Sequence, residues 1–184
     1  MTRTADGLAT AEDLLAGRYG NGGGELEGGV LLLREPAGLR HGAVAIRIGA
    51  ALLQATRDAS DVLVVGAETG FLVARGPDSV RAPDVAVITG PDAIHLARQP
   101  GFAPRAPDLA VEVRSPSDTL ASQLDKASMW IARGSHLAWV VDPEEGVAYL
   151  LAKGASIRRV FPGEAITGEP VLPGVSIPLS ELLI

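Results

Sequence analysis

The spacing of apolar positions changes along the chain, and each change marks an element. Val44, Ile48, Ala51, Leu52 and Ala55 recur at helical spacing and predict a helix over His41 to Arg57, with His41 and Arg47 off that stripe. Before it, residues 11 to 16 read as a helical turn, broken by the glycine cluster Gly20, Gly22, Gly23 and Gly24, and a turn then leads into a strand from Val30 to Arg34. After it come short β-branched runs: Asp61 to Gly66 and Phe71 to Ala74 predict strands on either side of a turn at Glu68-Thr69-Gly70. Pro83 presets extended backbone, and beyond it Val85 and Val87 alternate with Asp84, Ala86 and Ile88. Residues 89 to 106 predict a loop with one helical turn, Asp92 to Arg98.

The second half repeats this strand and helix logic. Pro107 to Arg114 predicts a strand that Pro116 stops, with Ser117 or Asp118 expected to cap a helix running to about Arg133. Its apolar stripe is Leu120, Leu124, Ala127 and Ile131, and Gly134 closes it. Leu137 to Val141 and Val147 to Leu151 form a hairpin around Asp142 to Gly146, and a strand near Ile157 to Phe161 precedes a proline-rich end. No repeat or long linker divides the chain, so residues 1–24 read as an extension and residues 25–184 as one domain.

Composition narrows the architecture. With 47% hydrophobic but only 4% aromatic residues, the core must be built from Val, Leu, Ile and Ala, which points to an α/β or α+β fold. The absence of cysteine excludes disulfides, thiolate metal sites and cysteine nucleophiles. Asp6, Glu12 and Asp13 interrupt the N-terminal stretch and Arg47 interrupts the longest apolar run, so neither a signal peptide nor a membrane span is expected, and the protein reads as cytoplasmic. A net charge of −6 argues against a broad basic surface while leaving room for a local basic groove. Of the 16 basic residues only Lys126 and Lys153 are lysine.

The candidate chemistry lies in two strands. The pleat of the Asp108 to Arg114 strand puts Leu109, Val111 and Val113 on one face and Asp108, Ala110, Glu112 and Arg114 on the other. An edge strand with a polar outer face would explain that pattern, but Pro83-Asp84 begins a second strand in the way that Pro107-Asp108 begins this one. Carboxylates on neighbouring strands are what Mg²⁺ or Mn²⁺ needs. Lys126 lies on the helix flank with Gln123, Trp130 and Arg133, away from the apolar stripe, where a fold of the Ser115-Pro116-Ser117 connection would bring it over the carboxylates.

These residues resemble a known family. Glu25-Leu26-x-x-Gly29, His41-Gly42, Glu68-Thr69-Gly70, Pro83-Asp84-Val85, the run Pro107 to Ser117, Lys126, Ala132-Arg133-Gly134 and Trp139 to Pro143 are similar in order and spacing to the Uma2 family of restriction endonucleases. The likeness covers about Glu25 to Leu151. It implies the PD-(D/E)XK nuclease fold, a restriction-endonuclease-like mixed central β-sheet flanked by helices. It further implies metal-binding acids at Asp84 and Glu112, with Asp108 as a further ligand or a turn residue, and an N-terminal catalytic acid at Glu25. In the parent motif a lysine stands where this chain has Arg114, and the resemblance implies that its role has passed to Lys126, with Arg114 left as the alternative. Trp130 stands where the family more often has Tyr and is expected to pack.

The expected activity is Mg²⁺- or Mn²⁺-dependent hydrolysis of DNA phosphodiesters, with Lys126 orienting the water or stabilising the transition state and Arg114 and Arg133 binding neighbouring phosphates. His41 and Glu68 are further candidates. A homodimer is expected, because duplex DNA offers two strands, and no organic cofactor is. Two alternatives remain at this point: a catalytically idle nuclease fold that binds DNA or protein, and a hydrolase of small phosphorylated molecules.

Overall fold

The computed structural model describes residues 7–20, 24–33 and 36–184. Asp6, Gly22, Gly23 and Arg34, to which the sequence assigned an acidic terminus, part of a glycine cluster and a strand end, lie outside them. The chain builds a mixed α+β fold around a six-stranded sheet. Its strands are β3 (Val62–Gly66), β6 (Val85–Thr89), β7 (Leu109–Val113), β8 (Leu137–Asp142), β9 (Val147–Ala152) and β10 (Arg158–Val160), in the order β10-β9-β8-β7-β6-β3. β7 and β8 are parallel because the helix α4 (Leu120–Ala132) connects them as a crossover, and the other pairs are antiparallel.

The pleat partitions the core as the alternation requires. Val85, Val87, Leu109, Val111, Val113, Trp139 and Val141 face α2 (Leu39–Ala55) through its Val44, Ile48 and Leu52. On the opposite face Ala86, Ala110 and Ala138 lie in one cross-strand row, in a cluster that holds Ala127 and Trp130 of α4. Both faces of β7 are therefore buried, which removes the edge-strand explanation: Glu112 is a carboxylate in the centre of the sheet.

A smaller sheet, ordered β2-β1-β5-β4, packs beside the large one. It comprises β1 (Glu25–Glu27), β2 (Val30–Leu32), β4 (Phe71–Ala74) and β5 (Ser79–Arg81). The short helix α1 (Ala11–Leu15) closes over it, with Ala9 and Ala11 sharing a cluster with Leu26, Leu31 and Val80. Where a turn was expected, Glu25 to Glu27 forms a strand, because Gly28 and Gly29 at φ 56° and 76° close a hairpin of which it is the first arm. The single helical turn in the loop after β6 is α3 (Ala93–Leu96), and the proline-rich end folds as a hairpin, β11 (Ala165–Thr167) with β12 (Ser176–Pro178), followed by α5 (Leu179–Leu182).

Three local expectations change. His41 is not off the stripe of α2: at 100° per residue it falls in line with Val44, Ile48 and Leu52, and its side chain is only 12% exposed. The N-cap of α4 is Thr119, which accepts the Ser122 N–H at 3.1 Å, since the Asp118 carboxylate is spent on the Ser115 N–H at 3.0 Å to close the preceding turn. The buried face of α4 is Gln123, Ala127 and Trp130, with Leu120, Leu124 and Ile131 half-buried, because Trp130 reaches a carboxylate on the sheet below. Gly134 ends the helix at φ 118°, as the sequence implied.

Candidate metal and phosphate site

The register that pairs Val85 with Val111 and Ala86 with Ala110, carried one residue further, sets Asp84 opposite Glu112. Pro83 keeps the approach extended, and β6 begins one residue after Asp84. The Asp84 N–H donates to the Val111 carbonyl at 3.0 Å, and its Oδ2 accepts the Val113 N–H at 2.7 Å, filling the place of a ladder carbonyl. The same Oδ2 lies 3.1 Å from His41 Nε2. That hydrogen bond holds the His41 pKa above its ordinary value against the opposing effect of burial, helped by the charges of Asp84, Asp118 and Glu112.

Glu112 is 3% exposed and approached from α4 by two groups. Trp130 Nε1 donates to its Oε1 at 2.8 Å, and Lys126 Nζ stands 3.9 Å from its Oε2. Trp130 is thus a hydrogen-bond donor to the site as well as a packing residue. Lys126 is 32% exposed, so its ammonium reaches the carboxylate from the solvent side. Together Asp84, Glu112, His41, Lys126, Asp118 and Gln123 line an open cleft of about 420 Å³, whose rim is the Ser115 to Ser117 turn.

Other sequence candidates lie elsewhere. Asp108, at the opposite end of the strand, accepts the Thr89 N–H at 2.7 Å and two Arg105 bonds at 3.0 and 3.2 Å, with His136 Nδ1 at 3.5 Å. It is a clamp on the loop after β6, about 13 Å along the strand from Glu112, so it is no ligand partner of Asp84. Arg114 is bound to Asp142 at 2.6 Å and to the Asp118 carbonyl at 3.1 Å, and it does not line the cleft. Its guanidinium holds the connection to α4 in shape, so the two-residue offset from Glu112 does not bring it to the site. Arg133 is exposed at the C-terminal end of α4, outside the cleft.

Glu25 and Glu68 line an adjoining, largely apolar cleft of about 1080 Å³ that shares Asp84 and His41 with the first. Glu25 is held there, its Oε1 accepting the Ala82 N–H at 2.7 Å and its Oε2 lying 3.3 Å from Arg81 Nε. Glu68 is exposed in a turn at φ 67°. The sequence singled out neither Gln123 nor Asp118 as a site residue. Their only signal was position: Gln123 on the Lys126 flank, and Asp118 at the stop between strand and helix.

The donor set suits a hard divalent cation. Asp84 and Glu112 offer carboxylate oxygen, and Mg²⁺ is commonly held by one or two carboxylates with water completing the shell. Among the described residues no three His, Cys, Asp or Glu side chains gather as a metal-holding group, so a cation here would keep part of its water.

The whole architecture has a counterpart in the crystal structure of a "putative nuclease belonging to DUF820" from Anabaena variabilis, which superposes with a TM-score of 0.76 over 94% of this chain and 96% of that one at 14% identity. At that identity the likeness is one of fold, that of a restriction-endonuclease-like nuclease. No curated protein matches the chain. The family model described as "Uma2: Putative restriction endonuclease" matches residues 24–180, a span that takes in the strand pair, the cleft and α4, and on that match the chain belongs to the Uma2 family.

Proposed function

We propose that this member of the nuclease family is a metal-dependent DNA endonuclease of the PD-(D/E)XK type. The observation that carries the reading is the pair of buried carboxylates, Asp84 and Glu112, set on adjacent strands at one cleft with Lys126 Nζ 3.9 Å from Glu112. Asp84 and Glu112 would hold Mg²⁺ or Mn²⁺, which when bound activates water and polarises a phosphoryl oxygen. Trp130 fixes one oxygen of Glu112, so the other stays turned toward Lys126. His41 and the Val113 N–H fix Asp84 in the same way. Lys126, half in solvent, places its positive charge where a phosphate would enter and where charge develops in the transition state. A homodimer would offer two such clefts to the two strands of a duplex.

Cleavage of supercoiled plasmid with Mn²⁺ or Mg²⁺, beside calorimetric titration of the metal, tests this. Wild type is expected to bind metal and nick DNA. Lys126→Met is expected to keep metal binding while cleavage falls about 10²-fold. A protein that binds metal but leaves every DNA intact would refute the DNA reading. A second reading rests on one observation: among the described residues lining the cleft, Lys126 is the only Lys or Arg, which suits one small phosphorylated molecule better than a long backbone. Turnover of small phosphodiesters in place of plasmid would favour it.

A further inference from the structure

Three buried side-chain atoms among the described residues have no hydrogen-bond partner: Arg81 Nε, Trp139 Nε1 and Gln123 Oε1. Two of them line neither cleft. Arg81 Nε lies 3.3 Å from Glu25 Oε2, close enough for an ion pair, and the Trp139 indole is enclosed in the apolar cluster under α2. Gln123 differs. It is 1% exposed, it forms part of the wall of the Asp84 and Glu112 cleft, and it stands one helical turn before Lys126 on the face that carries Trp130. Its backbone is fixed in the first turn of the capped helix, with its N–H donating to the Thr119 carbonyl at 3.2 Å. An amide oxygen kept from both water and protein destabilises the fold unless something else binds it. Methionine or leucine would fill such a position without that penalty.

We infer that Gln123 Oε1 is a third oxygen donor of the divalent-cation site, beside the Asp84 and Glu112 carboxylates; the inference rests on the metal-dependent reading above. An amide oxygen is a hard donor of the kind Mg²⁺ and Mn²⁺ accept. Being neutral, it adds a ligand without adding a further negative charge to a cleft already lined by Asp84, Glu112 and Asp118. Gln123 thereby trades stability of the metal-free fold for affinity, as functional positions often do.

Thermal melts and Mn²⁺ calorimetry on the full chain test this with Gln123→Met and Gln123→Glu. Without metal, Gln123→Met is expected to melt about 2–4 °C above wild type, and its Mn²⁺ Kd is expected to rise about tenfold or more. Gln123→Glu retains the acceptor and is expected to bind Mn²⁺ at least as tightly as wild type. A lower melting temperature in Gln123→Met, an unchanged Kd in that variant, or a lost affinity in Gln123→Glu would each overturn the assignment. Wild type that takes up no Mn²⁺ would bring down the metal-dependent reading and this inference together. Wild type and Gln123→Met binding equally well would bring down the inference alone.

Discussion

Asp108 stands one residue before β7 and Glu112 near its far end, and the two carboxylates are held in different ways. Asp108 is saturated: Arg105 forks onto both of its oxygens, the Thr89 N–H adds a third bond and His136 stands by. Glu112 takes the Trp130 indole N–H at 2.8 Å and has Lys126 Nζ at 3.9 Å on a partly exposed stem, at the wall of an open cleft. The pleat turns both acids to the same face of the same strand, so the difference comes wholly from what the rest of the fold sets against them. A carboxylate neutralised by close donors fastens a loop. One held by its neighbours at the wall of an open cleft is placed to receive a cation.

The largest effect should come from the Glu112 end. Glu112→Gln and Asp84→Asn are each expected to weaken Mn²⁺ binding at least about 100-fold and to abolish plasmid cleavage, while Asp108→Asn leaves the calorimetric Kd unchanged. Metal affinity lost in Asp108→Asn and kept in Glu112→Gln would invert the comparison.

Stability should respond in the opposite sense. Asp108→Asn is expected to lower unfolding free energy by about 1–2 kcal/mol in urea titrations, a figure reduced because Arg105 is 42% exposed. Glu112→Gln should cost less, since the amide oxygen can still accept the Trp130 indole N–H; a larger loss at Glu112 than at Asp108 would contradict the assignment. Smaller again is Trp130→Phe, which keeps the ring against Phe71 at 6.1 Å and deletes only the indole donor. It should cost about 1 kcal/mol and raise the Mn²⁺ Kd about tenfold, and a Kd equal to wild type would show that the donor does not position Glu112.

The smallest effect is the pH dependence of the clamp. Burial alone would raise the Asp108 carboxyl, but the Arg105 hydrogen bond, the Thr89 N–H and the Arg105 charge together hold it below its ordinary 3.8. With the folded value depressed, the unfolded chain binds the proton first. The clamp's contribution is therefore complete above pH 3.8 and is lost as pH falls through the lower folded value. The urea midpoints of wild type and Asp108→Asn should lie apart at pH 5 and converge toward pH 3. A constant gap would mean that the Asp108 proton is not linked to folding.

Much of the frame was legible because it depends on local periodicity. The alternation of β7, the Val44, Ile48 and Leu52 positions of the α2 stripe, the hairpin at Asp142 to Gly146 and the Gly134 stop follow from side-chain spacing and backbone preference and stand where the sequence put them, whereas Ala55 of that stripe is exposed. The residue types also nominated Asp84, Glu112 and Lys126, and the fold brings all three to one cleft. His41 was set off the stripe although its helical angle puts it in line with Val44, Ile48 and Leu52, and Thr119 was passed over because Asp118 offered an equally good cap in isolation.

What sequence could not supply was the division of labour among like residues. Asp108 and Glu112 have the same pleat position and similar chemistry, and only the arrival of Arg105 from one loop and Trp130 from α4 separates them. Arg114 and Lys126 are both cations near Glu112 in sequence, yet Asp142, 28 residues away, removes Arg114 from the cleft. The chain by itself determined which elements form and which residue types are available, since those depend on neighbours a few residues apart. The tertiary structure decided which charges meet, because Coulomb and hydrogen-bond energies are set by distance in space: Trp130 comes to Glu112 from 18 residues away and His41 to Asp84 from 43.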